Sequence, residues 1–219
     1  MINNLIKKML LFFIANSFIS LTAVHIFDEA SHLIIKNWDG DVTITQNDKQ
    51  AQAVVVEEAG GGIIEQINQQ IICRSPNHTS ALKASINQPY LALCIEAPSH
   101  TIALNGVKGG LTVIITDAGR IELNETIFPN VASIHTQSGK VIVIPPKKHP
   151  QSLLRIISEC GDIELHHANR LKQMYAYTVL GTIFKNNEAT ELKKLTQEAK
   201  IASSLAMHTN SGNIFINDN

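Results

Sequence analysis

Histidines and glutamates at fixed offsets from glycine are the residues of this chain with the most chemistry to offer. There are nine histidines, a residue type that ligates metal ions and exchanges protons near neutral pH. His135 and His208 each stand four residues before a glycine, and Glu122 and Glu164 each stand three residues after one. Two carboxylates facing one another across a scissile bond would suit glycan cleavage. Ser138-Gly139 and Ser211-Gly212 raise a nucleophilic serine as well. A nucleophile elbow, however, needs Gly-x-Ser-x-Gly between a strand and a helix, and strand-like segments follow both pairs. Cys73, Cys94 and Cys160 show no Cys-x-x-Cys or Cys/His ligand spacing, which leaves a structural zinc site without support. His166 and His167 are adjacent, so on a strand they would point to opposite sides. Gly60-Gly61-Gly62 is followed by Ile63-Ile64-Glu65 rather than Gly-Lys-Ser/Thr and reads as a flexible connection. None of these features implies a cofactor.

Whether the histidines or glutamates meet depends on the elements that carry them, and those elements repeat. Thr209-Asn210-Ser211-Gly212-Asn213-Ile214-Phe215-Ile216 is preceded by Thr136-Gln137-Ser138-Gly139-Lys140-Val141-Ile142-Val143, by Ser158 to Leu165, by Thr178 to Phe184 and by Thr116 to Leu123. Asn37 to Ile44, around Gly40, is a looser copy. Gly119, Gly139, Gly161 and Gly181 follow one another by 20, 22 and 20 residues, and 31 more lead to Gly212. Two positions after the glycine stand Ile121, Val141, Ile163, Ile183 and Ile214, all β-branched, as an inward column on a pleated surface demands. Ala132 and Ile134, with their equivalents in the other units, also point inward. Thr136, Ser158, Thr178 and Thr209 form a hydroxyl column suited to bonding within the turn or along the stack. The glycines are expected to supply a positive φ. Units of this length fit a β-solenoid of about 20-residue coils, and equally an antiparallel meander of hairpins. Residue types in register favour stacking. Residues 187–199 carry a capping Asn187, early acidic residues, and Leu192, Leu195 and Ala199 on one face. They predict a short inserted helix near 188–199, or else an irregular extra coil. With coils stacked in chain order, His135 and His208 lie three steps or roughly 14 Å apart, too far for one ion. Glu122 and Glu164 lie two steps or about 9.6 Å apart, near the upper limit for an inverting pair.

Composition sets the wider frame. With 44% hydrophobic and 17% charged residues the chain is built to fold, and a net charge of -1 argues against a nucleic-acid partner. Lys7 and Lys8 precede the apolar run from Met9 to Ile14 and its continuation to Val24, the layout of a secretory signal peptide over residues 1–23. An uncleaved N-terminal anchor is the alternative, and would be the chain's only contact with a membrane. Residues 24–219 then form a single domain, an irregular β part at 24–100 and regular repeats at 101–219. Export to the periplasm or cell surface would allow a Cys73–Cys94 bridge, with two buried free thiols as the other reading.

The repeated small-Gly-x-Ile-x-Leu phrase, Asp39-Gly40-Asp41-Val42-Thr43-Ile44 and the run Leu93-Cys94-Ile95-Glu96-Ala97-Pro98 carry a resemblance to a known family. The sequence resembles the bacterial putative-adhesin family related to the head GIN domain, over about residues 30–217. The resemblance implies an exported, all-β protein folded as a single-stranded, right-handed parallel β-helix. It brings no catalytic signature.

Ile142, Ile157, Tyr175, Tyr177, Phe184 and Phe215 fall on outward positions and are too apolar for a bare surface. Either the helix near 188–199 covers them or a partner does. No separate cap follows the last repeat, so the coil ends are expected to be open to end-to-end self-association. The expectation is a non-enzymatic binding or adhesion surface for protein or glycan at the cell envelope. The alternatives are an envelope-polysaccharide-acting enzyme on a β-helix and a purely structural envelope protein.

Overall fold

The computed structural model describes residues 22–59, 61–75, 81–147, 153–171, 173–190, 194–197 and 204–219. The expected signal segment lies outside the described residues except for its last two positions, Thr22 and Ala23, which begin the first strand. The fold is nearly all-β, and its one described helical element is a 3-10 turn at Ala168–Arg170. In chain order the strands begin with β1 (Thr22–Phe27), β2 (His32–Lys36), β3 (Val42–Gln46), β4 (Val54–Ala59) and β5 (Ile63–Ile67). Next come β6 (Gln70–Arg74), β7 (Ala81–Ile86), β8 (Leu91–Glu96), β9 (Ile102–Asn105), β10 (Gly109–Thr116) and β11 (Ile121–Asn124). β12 (Val131–Thr136), β13 (Val141–Ile144), β14 (Leu153–Ser158), β15 (Ile163–Leu165) and β16 (Gln173–Thr178) follow. The last are β17 (Ile183–Lys185), β18 (Glu188–Ala189), β19 (Lys194–Gln197), β20 (Ser204–Thr209) and β21 (Ile214–Ile216).

These strands make two mixed sheets, of eleven and ten strands, and neither closes on itself. Each repeat contributes its strand before the glycine turn to the ten-stranded sheet and its strand after the turn to the eleven-stranded one. Equivalent strands of neighbouring repeats pair in parallel and in register, as in Ala132↔Leu154 and Val141↔Ile163, which rules out the antiparallel meander for these units. The same parallel layering reaches back through β8–β9 to β2–β3 and β6–β7, so the first half of the chain shares the architecture of the second.

Strict period-two alternation explains why the two sheets face one another. In β12 the side chains of Ala132, Ile134 and Thr136 are buried, and those between them are not. All five β-branched residues two positions after the turn glycines are fully buried. Inward side chains of both sheets form one continuous core cluster. Burying each such side chain contributes about 1.5–3 kcal/mol.

The turn glycines are required for a reason other than the one expected. Of the six, only Gly40 has a positive φ, at 151°. At the other five a Cβ would run into the carbonyl of the adjacent turn: Gly119 against His100, Gly139 against Gly119, Gly161 against Gly139, Gly212 against Gly161 and Gly181 against Gly212. The turns themselves are bonded layer to layer, Ser138 N–H donating to Asp117 O and Cys160 N–H to Gln137 O at 2.7 Å each. The hydroxyl column completes them. Thr136 Oγ1 accepts from Gly139 N–H at 2.8 Å, Thr209 Oγ1 from Gly212 N–H at 2.9 Å, and Thr178 Oγ1 donates onward to Gly212 O at 3.1 Å. Thr136→Val keeps the shape and strands the buried Gly139 N–H, so it should cost about 1–3 kcal/mol, whereas loss of the exposed Ser138 hydroxyl should cost well under that. Urea midpoints of the two variants measure the difference.

Layer order departs from chain order at both ends. β20 and β21 insert between β14–β15 and β16–β17, and β2 and β3 insert between β6–β7 and β8–β9. The expected helix near 188–199 is replaced, where described, by β18 and β19, which pair antiparallel with β17 and β16. The physical reason is the row of unpaired N–H and C=O groups that β16 and β17 would present at the sheet edges; this outweighs a weak local helix preference. At the other end β4 and β5 pair antiparallel with β7 and β6. The parallel stack therefore ends in antiparallel strands in both sheets, where open parallel coil ends were expected, and β1, β5, β18 and β19 are the sheet edges.

Candidate functional site

The six apolar residues expected to form one partner surface fall on two separate faces. Ile157, Tyr175 and Tyr177 lie on the outer face of the ten-stranded sheet. Ile142, Phe184 and Phe215 lie on the outer face of the eleven-stranded sheet, in the row Glu122, Ile142, Glu164, Phe215, Phe184. On that second face Ile142 is 8% exposed, closed over between its neighbours, and Phe184 and Phe215 stack on one another at 4.9 Å and 9°. An offset pair of rings covers much of its own apolar area. This face also holds the two candidate acids, each tied to a cation: Glu122 to Arg120 at 2.6 Å and Glu164 to Lys140 at 2.7 Å.

The ten-stranded sheet presents the more open apolar face. Across its strands runs the row Ile115, His135, Ile157, His208, Tyr177, and beside it Cys94, Val113, Ser133, Arg155, Ala206, Tyr175. Leu111, Ile115, Val131 and Tyr175 are exposed there by 60, 42, 55 and 37%. Leu111, Val113, Ile115 and Val131 were not among the residues expected on this surface, although Leu111, Val113 and Ile115 are alternate residues of one strand and their period-two spacing marks them. Within 188–199 the described residues form β18 and β19, which extend the sheet edges and do not lie across either face; the rest of that stretch lies outside the described residues.

Layer order also revises the histidine geometry. With β20 next to β14, one strand and not two separates His135 from His208, bringing them to about 9.6 Å, still beyond the reach of one ion. His208 packs against the Tyr177 ring at 5.1 Å, and its Nε2 is buried with no hydrogen-bond partner among the described residues. His166 and His167 follow the end of β15, and His167 takes a left-handed conformation with φ of 52°. Among the described residues no group of three or more His, Cys, Asp or Glu is placed to hold a metal ion, and no helix is long and apolar enough to cross a membrane.

The cysteines are unpaired. Cys73 and Cys94 pair with consecutive residues of β2, Ile35 and Ile34, from opposite sides of that strand. A strand therefore separates them, by about 9.6 Å, and a disulfide needs roughly 4.4–6.8 Å between Cα atoms. Burial, with Glu58 nearby as a lesser cause, pushes the Cys73 thiol up to about 12. Burial also raises Cys94, helped by Glu96 and opposed by Lys36. Cys160 is exposed in its turn. In the native protein Cys160 should be alkylated first and Cys73 slower by on the order of a thousandfold, a ratio that collapses on unfolding. Timed iodoacetamide labelling read by mass spectrometry checks this order.

The class defined by this geometry is an all-β protein of two mixed, layered sheets with open outer faces. No family model matches the sequence, and no curated protein does. The structure is similar to that of a putative cell adhesion protein from Clostridium sporogenes ATCC 15579, at 10% identity and a TM-score of 0.49, over 90% of this chain and 98% of that one. It is similar to the same degree to a putative adhesin (BF0245) from Bacteroides fragilis NCTC 9343, over 90% of this chain and 96% of the other.

Proposed function

We propose that this chain is an exported, non-enzymatic β-solenoid, right-handed with one strand per sheet in each coil, which displays the outer face of its ten-stranded sheet as a binding surface at the cell envelope. The observation that carries this reading is the strip of outward apolar side chains on that sheet, Leu111, Val113, Ile115, Val131, Ile157, Tyr175 and Tyr177, crossed by no segment of the described chain. His135 and His208 interrupt one row of the strip and Ser133 and Arg155 the other, so its apolar side chains are interleaved with polar ones; exposed apolar surface is a mark of interaction sites, and aromatic anchors tend to dominate their energetics. A protein partner fits such a flat, weakly charged face better than a small molecule does.

The competing enzyme reading has less to stand on. Glu122 and Glu164 sit on a flat sheet face with Ile142 between them, and each is engaged by its own cation. Glycosidases instead place their two carboxyl groups on either side of the scissile bond.

The test is retention of the purified chain on immobilised envelope fractions, comparing wild type with an Ile115→Ser, Tyr175→Ser double variant. Removing two exposed anchors, one at each end of the strip, should weaken binding by roughly thirtyfold or more while leaving the melting transition in place. Equal retention of the double variant would reject the face. Release of reducing ends from envelope polysaccharide that is lost in Glu122→Gln or Glu164→Gln would replace this reading with the enzymatic one.

A further inference from the structure

The other sheet contains a concavity near its β1 end that the surface described above does not use. Outward side chains of three adjacent strands line it: Thr43 and Thr45 from β3, Lys83 and Ser85 from β7, Val55 and Glu57 from β4, around a volume of 250 Å³. Register sets them in two short rows, Glu57, Lys83, Thr43 and Val55, Ser85, Thr45. Next in each row, on β1, come Val24 and Ile26, exposed by 56 and 60%. The concavity thus has a floor of short hydroxyl side chains, one acid and one base, with an apolar strip along one side.

Its polar groups differ from those elsewhere on the same face. Farther along, polar side chains are tied to one another: Lys108 to Asp48 at 3.1 Å, Asn124 to Asn105 at 2.9 Å, Arg120 to Glu122 at 2.6 Å and Lys140 to Glu164 at 2.7 Å. The hydroxyls of Thr43, Thr45 and Ser85, the Glu57 carboxylate and the Lys83 ammonium take no such partner among the described residues. Five uncommitted polar groups converge on one concave spot. Three of them both donate and accept, one only accepts and one only donates.

That inventory matches a particular ligand chemistry. A pyranose ring carries a rim of hydroxyls that each donate and accept, and a face of C–H groups that packs on apolar side chains. Vicinal hydroxyls can donate to a carboxylate such as Glu57 while ring or hydroxyl oxygens accept from Lys83, and the C–H face can rest on Val24, Val55 and Ile26. Drug-sized ligands take roughly 300–1,000 Å³, so this smaller volume suits a single sugar ring. We propose that the concavity lined by Thr43, Thr45, Val55, Glu57, Lys83 and Ser85 is a glycan site that holds one pyranose unit.

This site is independent of the apolar face on the ten-stranded sheet. Titration of the full isotopically labelled chain with methyl glucoside, methyl galactoside and N-acetylglucosamine, followed by amide NMR, tests it. At least one sugar should bind with a dissociation constant on the order of 1 mM, with shifts centred on β3, β4 and β7. Glu57→Gln and Ser85→Val should each weaken that binding at least tenfold, and both variants should melt as wild type. Tyr175→Ser, on the opposite face, should bind the sugar as wild type does. No saturable shift with any of the three sugars, shifts outside these strands, or unaltered binding by both variants would overturn the proposal. So would saturation by a free amino acid in preference to every sugar, since the Glu57 and Lys83 charges would then be reading a zwitterion.

Discussion

Gly139→Ala should destabilise the protein by at least about 3 kcal/mol, far more than any change at its exposed neighbours. Overpacking a core costs about 1–3 kcal/mol when the neighbours yield. Here the neighbour cannot yield, because the atom in the way is the carbonyl oxygen of Gly119, part of a backbone bonded above and below. Gly119 in turn lies against the carbonyl of His100, and Gly161 lies against that of Gly139, so a shift at one turn is passed to the next. The added methyl also crowds Thr136 Oγ1, which accepts the glycine's own N–H. Chemical denaturation of Gly139→Ala beside Lys140→Ala measures this. Equal midpoints for the two would mean that the turns have room to part, and the close-packing account of the glycine column would fail.

Ending the chain after residue 203 should abolish folding of its whole C-terminal third, although only β20 and β21 are removed. Leu205, Met207, Ile214 and Ile216 are all buried, and at about 1.5–3 kcal/mol each they contribute roughly 6–12 kcal/mol. A domain's entire stability is about 5–15 kcal/mol. The deletion also removes the parallel partners of β14 and β15 on one side and of β16 and β17 on the other. Were the layers stacked in chain order, the same cut would remove an end layer and leave the rest paired. Hydrogen exchange on the shortened chain separates the cases: protection should disappear from β14 to β17. Native-like protection there would show that β16 re-pairs with β14, and that the inserted layer is dispensable.

Much of the layered fold was legible because its signals are periodic. The β-branched column from Ile121 to Ile214, the inward Ala132 and Ile134, and the hydroxyls from Thr136 to Thr209 all stand where repetition placed them. Layer order was not legible. Each repeat presents nearly the same edge to either neighbour, so periodicity carries no information about which copy is adjacent, and the spacing between His135 and His208 was overestimated for that reason. Residues 187–199 misled through local preference, since Asn187 and the spacing of Leu192, Leu195 and Ala199 suit a helix, whereas the demand comes from distant edges of β16 and β17. The glycine column was recognised, but its cause lies in contacts between turns that a single repeat cannot reveal. Of the candidate surface, Tyr175 and Tyr177 stood out as aromatics at outward positions. Leu111, Val113 and Ile115 lie on β10, whose pairing with β8 shifts register between Gly109 and Thr112, so their offsets from the glycine carry no repeat signal there.

The placement of β20 and β21 also constrains when the protein can form. They emerge from the ribosome after β16 and β17, yet in the finished fold they stand between those strands and β14 and β15. The C-terminal layers therefore cannot be laid down one by one as the chain is synthesised: β16 and β17 must wait apart, or detach, until the strands that separate them from the stack have arrived. Because forming long-range contacts of this kind slows folding, the chain should remain unfinished through synthesis and complete its last layers only after release.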